Sequence, residues 1–180
     1  MADQPLVSGR SGALVNREGN ELARLARPAY AGAAWLFAIL IPVQFFFAGT
    51  GMFSTTGFSP HMYLGLALHG LSGALIVFAV IGRLPRRALE YGVIQFVLIG
   101  LQVVLVRVAA PGATISIEPQ VVSSLITSIM QPIHDVLHGN AGLVASLHAV
   151  NALAISGVAV LTVLYARRLS RVARAGASIG

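Results

Sequence analysis

The chain alternates between long apolar stretches and short polar segments. Four stretches have few charges and reach the ~20 residues that an α-helix needs to cross a bilayer core. They cover residues 29–53, 61–81, 89–110 and 141–166. Because backbone groups in lipid must find their partners within the segment, each stretch predicts a helix rather than a strand. The pattern therefore predicts an all-α, four-span transmembrane helix bundle formed by residues 29–166.

The segments outside these spans differ in character. Residues 1–28 predict a polar N-terminal tail, and residues 167–180 predict a basic C-terminal tail. Between the third and fourth spans, apolar residues recur at helical spacing over about 120–138, with serines and a threonine opposite them. This segment predicts an amphipathic helix in the outer loop, lying on the membrane surface or capping the bundle.

Composition and charge add an orientation to this picture. The chain is 56% hydrophobic and only 10% charged, whereas a soluble domain carries roughly a quarter charged residues. All twelve basic residues are arginines, and they cluster in the two tails and at 83–87. Only Arg107 lies at the opposite ends of the spans. The positive-inside rule then predicts a multi-pass membrane protein with both termini cytoplasmic. The net charge of +6 is a topology signal and does not indicate nucleic acid.

Several kinds of chemistry are absent from the sequence. Cysteine is missing, which excludes disulfides, thiolate metal sites, cysteine nucleophiles and c-type haem attachment. The sequence contains no Ser–His–Asp arrangement, no glycine-rich phosphate loop and no paired carboxylates. It does not suggest a stand-alone enzyme.

Polar side chains do occur inside the spans, and four of them share a depth. Counted inward from the outer helix ends, Gln44, His69, Gln102 and His148 all lie about 10–13 Å deep at 1.5 Å per residue. Intramembrane polar groups are costly and usually face the bundle interior. The count therefore predicts a polar layer in the outer half of the bundle.

Three hypotheses account for such a layer. The first is that the protein is a structural or assembly component of a larger membrane complex, in which these amides and imidazoles form interhelical hydrogen bonds. Alternatively, they hold haem b in an electron-transfer or membrane-anchor subunit with a redox partner, because imidazole ligates haem iron and bundle cores host cofactors. The third hypothesis is a small-solute carrier. It is disfavoured because no carboxylate lies near a helix midpoint.

The haem hypothesis depends on the histidines of the second and fourth spans. His61 and His69 share a broad face of the second span, since an eight-residue offset turns only ~80°. Either one is a candidate partner of His148, and Asn151 follows one turn later. Gly65, Gly70 and Gly73 leave room either for a flat ring or for close helix packing. Arg107 would bind a haem propionate or extend to the membrane interface.

A separate motif, HDVLH, places His134 and His138 one turn apart. This is the histidine spacing of HExxH zinc sites. Any pair of histidines at i and i+4 on a helix satisfies it, and no third ligand is evident. The pair is a weak metal candidate, and a surface histidine pair is the simpler interpretation.

Four short strings carry a resemblance to a known family. They are QFFFAGTGMF, FSPHMYLG, GRLPRR and LHAVNAL, in this order along residues 30–168. They resemble an uncharacterised family of small bacterial four-helix membrane proteins, a domain of unknown function. The resemblance implies roles for Gln44, His61, Gln102, His148 and Asn151. It does not include His69, and so favours a His61–His148 pair, but it implies no activity. The architecture is also loosely similar to b-type cytochrome bundles.

Overall fold

The protein folds into four long α-helices. The computed structural model describes the backbone of residues 8–53, 57–109, 124, 128, 131, 132, 135 and 140–177. The helices are α1 (Ser8–Gly51), α2 (Ser59–Ile81), α3 (Arg86–Ala109) and α4 (Ala141–Ala177). No β-strand occurs among these residues, which confirms the predicted all-α fold.

Each helix is long and apolar enough to cross a membrane. The candidate spans are Glu21–Gly51, Ser59–Ile81, Arg86–Val106 and Gly142–Val172, with mean hydropathies between 1.9 and 2.2. The shortest has 21 residues and rises about 31 Å, which matches the ~30 Å hydrocarbon core. The prediction of four spans is confirmed on these grounds of length and composition.

Two helices extend beyond the apolar stretches that the sequence outlines. α1 begins at Ser8, inside the segment 1–28 that predicts a polar tail, and α4 continues to Ala177. Both extensions are rich in alanine, leucine and arginine, which favour helix even without an apolar face to bury. The helical segments are therefore longer than the spans.

The helices form a closed four-membered ring. α1 packs against α2 and α4, and α3 packs against the same two helices. α2 and α3 are joined by a short turn that is anchored to α1. Arg27 donates from Nε to the Gly82 carbonyl at 3.2 Å, and the Tyr30 hydroxyl donates to the Ala88 carbonyl at 3.1 Å. These bonds fix the α2–α3 hairpin beside the start of the first span.

The core contains two large apolar clusters and a small one formed by Leu105 and Val144. The cluster near the α2–α3 turn contains Tyr30, Ala33, Ala34, Leu75, Ala79, Ala88, Val163 and Ala166. The second cluster contains Phe37, Ile41, Leu68, Ile99, Ile155 and Ala159. The many alanines allow the helices to approach closely, as small residues do in membrane bundles. Between the second cluster and the Leu105–Val144 pair, polar side chains of all four helices enter the bundle interior.

Most of the predicted outer amphipathic helix, about 120–138, lies outside the described residues. Five of its members are described, and all are helical and exposed: Ser124, Ser128, Gln131, Pro132 and Asp135. Ser128 donates to the Ser124 carbonyl at 2.9 Å, and Gln131 donates to Asp135 at 2.8 Å. The amphipathic helix itself remains a prediction.

Candidate cofactor site

His61, in the first turns of α2, is held by Gln44 of α1. Its Nδ1 lies 3.0 Å from the backbone carbonyl oxygen of Gln44. A carbonyl only accepts, so Nδ1 carries the hydrogen and Nε2 keeps its lone pair in the neutral ring. The Gln44 amide nitrogen donates to the His61 carbonyl at 2.9 Å and lies 3.4 Å from His61 Nε2. Two helices thus fix both the orientation and the tautomer of one imidazole.

The glycine one turn after His61 makes this contact possible. A Cβ atom on Gly65 would lie 3.2 Å from the Gln44 amide nitrogen. Because the His61 carbonyl points along the helix toward Gly65, a side chain there would crowd the amide that reaches it. The space at Gly65 is therefore used by a glutamine of the neighbouring helix.

His148 of α4 is held in a similar way by α3. Asn151 donates from Nδ2 to the Leu98 carbonyl and to Gln102 Oε1, both at 2.8 Å. This fixes the Gln102 amide so that its nitrogen faces His148 Nε2 at 3.5 Å. An amide nitrogen only donates, so His148 Nε2 also presents a lone pair. In both helix pairs an amide nitrogen thus faces an imidazole Nε2, but only His61 also has an Nδ1 bond to a backbone carbonyl.

The two arrangements meet in the bundle interior. The ring centroids of His61 and His148 are 6.3 Å apart, with the ring planes inclined at 54°. Five residues from four helices thereby form one group, which we call the polar cluster: Gln44, His61, Gln102, His148 and Asn151. The residues carried over from the family resemblance are the ones that the fold brings together.

Two buried polar atoms of the polar cluster lack a hydrogen-bond partner in the part of the chain that the structure describes. Gln44 Oε1 and His148 Nδ1 are buried, and neither has a hydrogen-bond partner among the described residues. In the neutral tautomer whose Nε2 keeps the lone pair, His148 Nδ1 carries the hydrogen and is a buried donor without an acceptor among the described residues. Native structures leave few such groups, and each one suggests an additional water or ligand. Two buried atoms of the cluster are thus free to bind a further group.

His69 lies outside the polar cluster. Its ring packs edge-on against Phe96 of α3, with the centroids 4.2 Å apart, and a Cβ on Gly100 would lie 3.6 Å from it. Among the described side chains, His148 contacts His61 and not His69. The ~80° turn between the two histidines directs His61 toward α1 and α4 and His69 toward α3. Of the two predicted histidine pairs, the structure brings together His61 and His148 and does not bring together His69 and His148.

The remaining predicted site residues are not described at the level of side chains. Arg107 lies on α3, but its side chain is outside the described part. His134 and His138 lie outside the described residues altogether. The propionate role of Arg107 and the metal role of the histidine pair stay predictions. Within the described residues, no group of three or more His, Cys, Asp or Glu side chains comes together.

Sequence reasoning overlooked Gln95 of α3. Its side chain is fully buried, and neither amide atom has a partner among the described residues. It lies seven residues, or two turns, before Gln102 and so on nearly the same helix face. That spacing is the signal that would have identified it. Ser72 and Thr162 are also fully buried, but both donate to carbonyls of their own helices.

Fold and site together define a four-span helical membrane protein with a polar cluster near one end of the bundle. Residues 44–110 match DUF6220, a family of unknown function. Over these residues the resemblance to an uncharacterised family is confirmed, and the matched stretch contains Gln44, His61 and Gln102. Neither the curated proteins nor the solved structures gave a significant match.

Proposed function

We propose that the protein is a haem b-binding subunit for membrane electron transfer, with His61 and His148 as the axial ligands. The observation that carries the proposal is the 6.3 Å separation of their ring centroids. Two imidazoles on opposite sides of one metal, each with a metal–nitrogen distance of about 2 Å, have centroids on the order of 6 Å apart. The separation supports ligation by this pair.

The hydrogen bonds of both rings also favour ligation. His61 and His148 each present an Nε2 lone pair, and each Nε2 makes only a long contact of 3.4 or 3.5 Å to an amide nitrogen. Contacts of this length are weak. Nδ1 of His61 donates to a backbone carbonyl, as the second nitrogen of metal-bound histidines commonly does. Each ring therefore keeps an Nε2 lone pair that the protein engages only weakly.

A bound macrocycle would require the helices to move at this end of the bundle. Two cavities of about 570 and 300 Å³ lie along the described surface, and neither is lined by His61 or His148. Gly65 and Gly73 already face the Gln44 amide and the Phe96 ring. The proposal therefore includes a local separation of α1 or α3 from the histidine pair when haem enters.

Haem would supply a one-electron couple near one membrane face. The arginine distribution supports an orientation with both termini cytoplasmic and the polar cluster in the outer half, and the family resemblance implies the plasma membrane of a bacterium. Arg107 is the candidate for a haem propionate. The partner would then be a redox protein or a larger membrane complex that exchanges electrons at the outer face.

The second candidate function is a structural or assembly component of a membrane complex. The short bonds from Asn151 to Leu98 and Gln102 favour it, since interhelical amides of this kind hold membrane bundles together. In this case the cluster would contribute to stability and would hold no cofactor.

The absorption spectrum of purified protein expressed with ample haem distinguishes the two candidates. We expect a Soret band that shifts on reduction. Replacement of His148 by alanine should weaken this band and shift it to the position of five-coordinate, high-spin haem, because one of the two imidazole ligands is lost. His69→Ala is the matched control and should leave the band unchanged. A folded wild-type protein without a Soret band would refute the proposal, as would a band that His148→Ala leaves unchanged in position and intensity.

A further inference from the structure

A basic groove opens between α1 and α4 at the end of the bundle opposite His61. It has a volume of about 300 Å³ and is lined by Ala31, Trp35, Arg167, Ser170 and Arg171. Arg167 and Arg171 are one turn apart on α4, so their side chains lie on the same side of the helix. The groove combines two guanidinium groups with an apolar wall from α1.

The positive charge of the groove has no acidic partner in the described part of the chain. The ion pair among the described residues joins Arg86 and Glu90 of α3, away from the groove. Arg167 instead lies over the Trp35 ring, with Cζ 6.0 Å from the centroid, at the distance of a cation–π contact. Stacking of this kind orients a guanidinium and leaves its edge free to donate hydrogen bonds. The groove thus presents two cations, of which Arg167 is oriented by Trp35, and no acidic side chain among the described residues pairs with either one.

The groove lies at the level where lipid headgroups meet the bundle. Arg167 comes twenty-six residues after Ala141, where α4 begins, a rise of about 39 Å that lies between the ~30 Å of the hydrocarbon core and the ~40–45 Å of the bilayer with its headgroups. Trp35 is 45% exposed, and tryptophans concentrate at membrane–water interfaces. With the beginning of α4 at one face of the membrane, Arg167 and Trp35 are near the other.

We propose that this groove binds the phosphate of an anionic phospholipid headgroup. Arg167 and Arg171 would donate to the phosphate oxygens, for which the guanidinium fork is well shaped. The acyl chains would lie along Trp35 and the apolar surface of α1. Basic pockets between transmembrane helices bind such headgroups. Free phosphate shares the charge chemistry but has no group to cover the apolar wall, so the lipid is the better match. This inference does not depend on haem.

The test uses Trp35, because it is the single tryptophan of the chain. The full-length protein is reconstituted in phosphatidylcholine vesicles that contain increasing fractions of phosphatidylglycerol with brominated acyl chains. Bromine quenches tryptophan fluorescence at short range. We expect brominated phosphatidylglycerol to quench Trp35 at roughly tenfold lower mole fraction than brominated phosphatidylcholine, because two arginines favour the anionic headgroup. Equal quenching by both lipids would overturn the proposal.

Charge-matched variants separate the groove from general attraction to anionic lipid. The double variant Arg167→Gln/Arg171→Gln should lose the preference. Arg87→Gln/Arg168→Gln removes the same charge from exposed arginines outside the groove and should keep it. An equal loss in both would show only diffuse attraction and refute the groove. Relief of quenching by added inorganic phosphate would instead indicate a free-phosphate site. Arg171→Gln alone, which retains the Arg167–Trp35 contact, repeats the test if the first double variant does not fold.

Discussion

His61 and His69 lie on the same helix, eight residues apart, but occupy different environments. His61 belongs to the polar cluster, where backbone and amide groups of α1 fix its tautomer and where it faces His148. His69 packs against Phe96 and beside Gly100, in an aromatic contact with α3. The ~80° turn between them is enough to assign them to different neighbouring helices. A histidine's role in a bundle thus depends on which neighbour it faces, more than on its depth.

The largest expected difference between the two histidines appears when each is replaced by glycine, which leaves a cavity in place of the ring. His61→Gly should remove low-spin haem, and added imidazole should restore it by occupying the vacated ligand position. His69→Gly should change neither the spectrum nor the response to imidazole, since its ring only packs against Phe96. Optical titration with imidazole measures both. An identical response of the two variants would contradict the assignment of His61, and not His69, as a haem ligand.

The next largest effect concerns the bonds that hold His148 in place. Asn151→Leu removes two interhelical donors and leaves Gln102 Oε1 without a partner, so we expect a loss of about 1–2 kcal/mol in unfolding free energy. Ser156→Ala is the control on the same helix, because Ser156 donates only to its own helix at Ala152. Unfolding by denaturing detergent in mixed micelles measures both variants. Equal losses would mean that the cluster contributes no interhelical stability.

A smaller effect is expected at the glycines between the two histidines. Gly65→Ala would bring a Cβ within 3.2 Å of the Gln44 amide and should lower the unfolding free energy by about 1 kcal/mol. Gly70→Ala meets nothing within 4 Å, so its higher helix propensity should leave stability unchanged or raise it by up to ~1 kcal/mol. Thermal unfolding in one detergent compares them. Reversed signs would show that Gln44 is not held against α2.

The smallest effect is expected at the His69 contact itself. Phe96→Leu replaces an edge-on aromatic pair, worth about 0.5–1.5 kcal/mol in well-packed sites. Because Phe96 is 39% exposed, the loss should fall at or below the lower end of that range. The absorption spectrum should not change. A spectral change as large as that of His148→Ala would show that His69 belongs to the ligand site.

Much of the fold follows directly from the sequence. The apolar runs determine the number of helices, and the residues that share the family resemblance are those that meet in the polar cluster. Depth counting is less successful at His69, because counting residues along one helix gives height but not rotation relative to its neighbours. The contact between Gln44 and His61 depends on how closely α1 approaches Gly65, which no spacing within one helix reveals. Gln95 shows the same limit, since its burial results from four-helix packing.

The most direct test of the central claim is the electron paramagnetic resonance spectrum of the oxidised, haem-loaded protein. Ligation by both His61 and His148 predicts a low-spin ferric signal in the wild type and in His69→Ala. Loss of either ligand, in His61→Ala or in His148→Ala, should convert this signal to high spin. A low-spin signal that persists in both alanine variants, or that disappears only in His69→Ala, would contradict the account.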